Sequence, residues 1–133
     1  MMELTAQEFG YEEDESDEVF EAGFSGVLGG SEFVLLIQRS EFDPDEQDTS
    51  LGMDTYCLVS GGRTNYGGVT KATRDGNVLS LEMSPEAAAV LEIPASLRVR
   101  LEESVGNVNE FFEGLAGILE WGRTEERPTL AGF

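Results

Sequence analysis

Glu32-Phe33-Val34-Leu35-Leu36-Ile37-Gln38-Arg39 decides the fold. Five consecutive apolar residues, β-branched in part, follow the turn glycines Gly29-Gly30. A run this short reads as a strand, and its continuity predicts a central strand covered on both faces. Upstream, Val19-Phe20-Glu21-Ala22-Gly23-Phe24-Ser25 is strand-like, and Glu3 to Phe9 reads as a first strand with Leu4, Ala6 and Phe9 toward a core. Downstream, Tyr56-Cys57-Leu58-Val59-Ser60 re-enters the sheet, turns at Gly61-Gly62 and continues from Tyr66 to Ala72. Asp75-Gly76 is a hairpin signal leading into Asn77 to Met83, whose Leu79, Leu81 and Met83 share one face. A last strand is read where Leu97, Val99 and Leu101 alternate with Ser96, Arg98 and Arg100.

Two helices complete the pattern. Ser84 caps the free amides of the first, Pro85 occupies the first helical position and Glu86 favours the positive helix end, which predicts a helix over Pro85 to Leu91. Val108, Phe111, Phe112, Leu115, Ile118 and Leu119 recur at intervals of three and four, a stripe that predicts a second helix from about Val105 to Trp121. Gly106, Gly114 and Gly117 each weaken that helix by about 1 kcal/mol, so it depends on docking. The whole reads as α+β: a curved, mainly antiparallel sheet of about seven strands with a short helix and a C-terminal amphipathic helix packed on it. Residues 1–122 form one domain in this reading, and 123–133 a flexible tail.

The charge balance narrows the function. Eight Lys and Arg face 27 Asp and Glu among 133 residues, a net charge of −19, and there is no histidine. Small soluble domains usually carry about 2–8 charges in magnitude, so the excess repels itself on compaction. A field of this sign attracts a basic protein and repels nucleic acid and anionic membranes. Without histidine the usual general base at neutral pH, the Ser-His and Cys-His pairs and every His-containing metal site are closed. The lone Cys57, in an apolar run, reads as a buried structural thiol. Met1 to Ala6 has neither a basic n-region nor an apolar h-region, and no stretch approaches the ~20 apolar residues that span a bilayer. A soluble cytoplasmic protein without cofactor or metal is expected.

Six acids in the seven residues Glu12 to Glu18 read as a solvated hairpin loop or an acidic arm. A second cluster, Glu41 to Asp48 with Pro44, reads as a loop of some length. Asp43, Asp45 and Asp48 invite a calcium reading, but the position where an EF-hand needs glycine is Asp48 and Pro44 stiffens the start. Gly61-Gly62 and Gly67-Gly68 match no phosphate-binding fingerprint and read as turn or bulge glycines. The eight basic residues do not cluster, which argues against direct nucleic-acid binding. Tyr66 and Trp121 are the aromatics whose context permits an interface role.

The segments Glu46-Gln47-Asp48, Leu51-Gly52-Met53-Asp54-Thr55-Tyr56-Cys57 and Asn65-Tyr66-Gly67-Gly68-Val69 resemble the immunity protein 10 family of bacterial polymorphic-toxin systems. Leu79 to Ala88 is similar to the strand-to-helix step of that family, and the likeness spans about residues 31 to 120, leaving the run from Glu12 to Glu18 outside it. The resemblance implies a small cytoplasmic antidote that binds a cognate toxin domain. Toxins that attack nucleic acid carry basic clefts, and a carboxylate-rich loop could occupy one by imitating phosphate. Asp43, Asp45, Glu46, Asp48 and Asp54 are then the expected toxin contacts, with Tyr66 as an anchor. The alternative for Asp54 and its neighbours is that they only shape strand starts. Two other readings stand beside it: an acidic assembly subunit that uses a sheet edge or helix, and, further off, a carboxylate enzyme.

Overall fold

The computed structural model describes residues 2–14, 18–40, 46–50, 54–122 and 124–133. Nine strands form one mostly antiparallel sheet: β1 (Met2–Asp14), β2 (Val19–Leu28), β3 (Ser31–Ser40), β4 (Cys57–Ser60), β5 (Arg63–Tyr66), β6 (Val69–Asp75), β7 (Val78–Met83), β8 (Ser96–Arg100) and β9 (Thr129–Ala131). Their order across the sheet is β5-β4-β3-β2-β1-β8-β7-β6-β9. Among the described residues only β1 with β8 and β6 with β9 pair in parallel. The α-helices are the one-turn α1 (Glu46–Ser50), α2 (Pro85–Leu91) and α3 (Val108–Leu119). The fold is α+β, as the sequence predicts.

The strand count is nine rather than seven. The turn at Gly61-Gly62 leads not straight on to Val69 but into β5, a polar edge strand antiparallel to β4. The segment after Gly122, read as a tail, supplies a 3-10 turn at Thr124–Glu126 and then β9 along β6. Residues 46–50, read as loop, make the single turn of α1. The first acidic run is also partly strand: β1 runs to Asp14, paired with Val19. Glu12 and Glu13 tolerate this because both are exposed, so the ladder forms without burying their charge.

β1 joins the two halves of the sheet. Residues Met2 to Thr5 lie parallel to Leu97 to Arg100 of β8, and from Ala6 onward the strand pairs with β2 instead. A bulge between Ala6 and Glu8 follows, inside the β1–β2 ladder. It restores the alternation, so that Leu4 and Ala6 before it and Phe9 after it all contribute to one core.

That core lies on one face of the sheet and under α3. Phe111, Phe112, Leu115, Ile118 and Leu119 are each at most 1% exposed, and α3 rests against β1, β2 and β3. Asn107 caps α3, its side chain accepting from the Glu110 amide at 3.0 Å, which places the helix start at Val108 rather than Val105. α2 starts as predicted, with the Ser84 hydroxyl accepting from the Ala87 amide at 3.2 Å, and it packs against β5. The β3 run behaves differently from its reading. Phe33, Leu35 and Ile37 are buried, but Val34 is 37% exposed and Leu36 half-buried. β3 is internal in the sheet yet, among the described residues, covered on one face only.

Candidate functional site

The residues singled out by the sequence fall in different places. Asp43 and Asp45 lie outside the described residues. Glu46 opens α1 and is exposed, and Asp48 belongs to the same turn. Asp54 is buried, at 6% exposure, just before β4. Tyr66 ends β5 at 39% exposure. Trp121 is half-buried, with the Arg39 guanidinium 5.9 Å from its ring and 4.4 Å from that of Phe20.

Tyr56, next to Asp54, is an anchor within the fold. It is fully buried, and its hydroxyl accepts from the Val69 amide at 2.9 Å. The Val69 and Glu126 carbonyls lie 3.2 and 3.0 Å away, ready to receive its proton. Burial raises its pKa well above the ordinary 10.0. Cys57 is half-buried rather than buried, and burial pushes its thiol up to about 11, so it is not a reactive thiolate near neutrality. Among the described residues no three His, Cys, Asp or Glu side chains converge as a metal site.

The sequence reading passed over one face of β1 to β5, left uncovered among the described residues. Strand register lays its side chains out in rows. One row runs Glu12, Glu21, Gln38, Cys57, Tyr66. The next runs Gly10, Gly23, Leu36, Val59, Thr64, and a third Glu8, Ser25, Val34. Gly10 and Gly23, directly opposed, have no side chains to fill the middle row, and a groove of about 310 Å³ opens over them with Val34 and Leu36 beside it. Carboxylates rim it: Glu8 and Glu12 are exposed, and Glu21 accepts from Gln38 Nε2 at 2.7 Å. The clue in the sequence was Val34 and Leu36, apolar residues in the alternate positions of a strand whose other positions already fill a core.

A broad, acidic, open sheet face suits the binding of another macromolecule better than the enclosure of a small one. The chain belongs to the immunity protein 10 family, whose model matches residues 5–109. The match starts earlier and stops sooner than the resemblance read from the sequence: it takes in the acidic run from Glu12 to Glu18 and leaves out most of α3. Among curated proteins and among solved structures, none matches the chain. Family membership supports an immunity role, and with it a protein partner.

Proposed function

We propose that this chain neutralises a cognate bacterial toxin domain by binding it, without chemistry of its own, inside the cell that makes both. The partner presents a basic surface, such as the cleft of an enzyme that acts on nucleic acid. The observation that carries this reading is the charge of −19 in a member of an immunity family. With 27 acids and eight bases, most carboxylates have no internal cation to answer them, and the surplus costs folding stability. A basic partner recovers that cost and is captured faster in the same field. Asp43, Asp45, Glu46 and Asp48, close together in sequence, are the acidic contacts of this reading and Tyr66 its aromatic anchor, while Asp54, buried just before β4, is left to shape that strand's start.

Co-expression with the C-terminal domain of the neighbouring toxin gene tests the reading by cell survival and by co-purification at low and high salt. Rescue with a complex that salt weakens is the expected outcome. Absence of both rescue and complex overturns the assignment for that pair. Charge reversal of Asp45 and Glu46 together tests the loop: unchanged affinity removes it from the interface.

A further inference from the structure

We infer that the open face of β1 to β4 is the primary docking surface, and that its groove receives a segment of the toxin domain carrying a Lys or Arg beside an apolar side chain. The inference rests on the immunity reading for the identity of the partner. Its physical basis is separate, in three features of the face that the isolated fold does not use.

The first is apolar surface that nothing covers among the described residues. Val34 is 37% exposed and Leu36 and Val59 only half-buried, although the core beneath them is complete and α3 lies on the opposite side. Apolar groups aligned across two neighbouring strands gain by losing water to a partner. The second is glycine where the fold does not ask for it. Gly10 is extended backbone without a positive φ, and a Cβ placed on it would meet nothing within 4 Å. A strand-interior glycine weakens the strand, and one that nothing in the chain crowds is suited to close approach from outside. Gly23 opposite it does have an internal reason, because a Cβ there would come within 2.6 Å of the Leu36 side chain.

The third feature is electrostatic and fixes the chemistry of the occupant. Glu12 and Glu21 are direct cross-strand partners, a like-charge pair that destabilises the β1–β2 ladder. Glu8 adds a further negative charge along β1, on the same face. Among the described residues, Glu8 and Glu12 take part in no ion pair. A guanidinium or ammonium seated between Glu12 and Glu21 turns that repulsion into attraction, its aliphatic stem lying over Gly10 and Gly23 and its apolar neighbour on Val34 and Leu36. Tyr66 stands at the far end of the Glu12 row, on the same face, where it closes one side of the surface.

Two substitutions separate docking from folding, because each should leave the fold as stable or more so. Glu12→Lys sets a cation opposite Glu21, and Gly10→Val gives the strand a β-branched residue in open space. Affinity for the toxin domain, measured by calorimetry beside thermal melts, should fall at least about tenfold in both without a drop in melting temperature. Glu103→Lys, at an exposed site between β8 and α3, changes the net charge by the same amount and should alter affinity less than about threefold, which separates the groove from the general field. If the wild-type chain binds and Glu12→Lys and Gly10→Val bind equally well, the groove assignment is overturned and the immunity reading stands. A wild-type chain that neither binds nor rescues overturns that reading, and the groove assignment with it.

Discussion

Tyr56 shows how one residue can fasten distant parts of this chain. Its hydroxyl accepts from the Val69 amide and reaches the carbonyl of Glu126, tying the start of β4 to β6 and to the turn before β9. Replacing it with Phe leaves the buried Val69 amide without that acceptor, and Tyr56→Phe should cost about 1–3 kcal/mol in a denaturant titration. Its protonated form is favoured in the fold, as is that of Cys57, whose folded pKa of about 11 exceeds the ordinary 9.0. Both folded pKa values are raised, so the unfolded chain releases these protons first. The associated stability is complete below about pH 9 and is lost as pH rises through the folded values. A melting temperature that stays level from pH 8 to well above 10 would contradict this, and Tyr56→Phe should flatten the decline.

Among the elements, α3 owes its position to a glycine. A Cβ on Gly114 would run into the Tyr11 ring of β1, whereas one on Gly117 would meet nothing within 4 Å. The two glycines cost the helix alike in isolation, but only the first is required by packing. Gly117→Ala should stabilise the protein by about 0.5–1 kcal/mol and Gly114→Ala should destabilise it by about 1–3 kcal/mol, read from chemical melts; the same sign for both would refute the docking account. Helix α2 and the apolar stripe of α3 were legible in the sequence because caps and periodicity are local signals. β5 and β9 were not. Arg63–Tyr66 carries no apolar alternation, and Thr129–Ala131 is held by parallel pairing to residues nearly sixty positions away, which no local pattern encodes. The candidate surface was hidden for a related reason. An unbroken apolar run is the same string whether one face or two are covered, and the rows across β1 to β5 exist only once register is known.

For the molecule as a whole, salt should act in opposite directions on folding and on binding. Counterions screen the self-repulsion of a −19 chain, so rising ionic strength should raise its melting temperature, while the same screening weakens the complex with a basic partner. Melts and binding measured over one salt series check both signs together; a melting temperature that falls with salt would show that self-repulsion is not a leading cost. The charge also bears on how the two halves of the sheet are joined. Met2 pairs with Leu97, so the first strand reaches its partner in β8 only after most of the chain has left the ribosome. Until then β1, β2 and β3 can pair among themselves, with the Met2 to Thr5 edge left unmatched. A neutral hairpin waiting in that state would invite pairing with other nascent chains. Glu12, Glu13 and Glu18 lie where β1 passes into β2, and their mutual repulsion should keep unfinished copies apart.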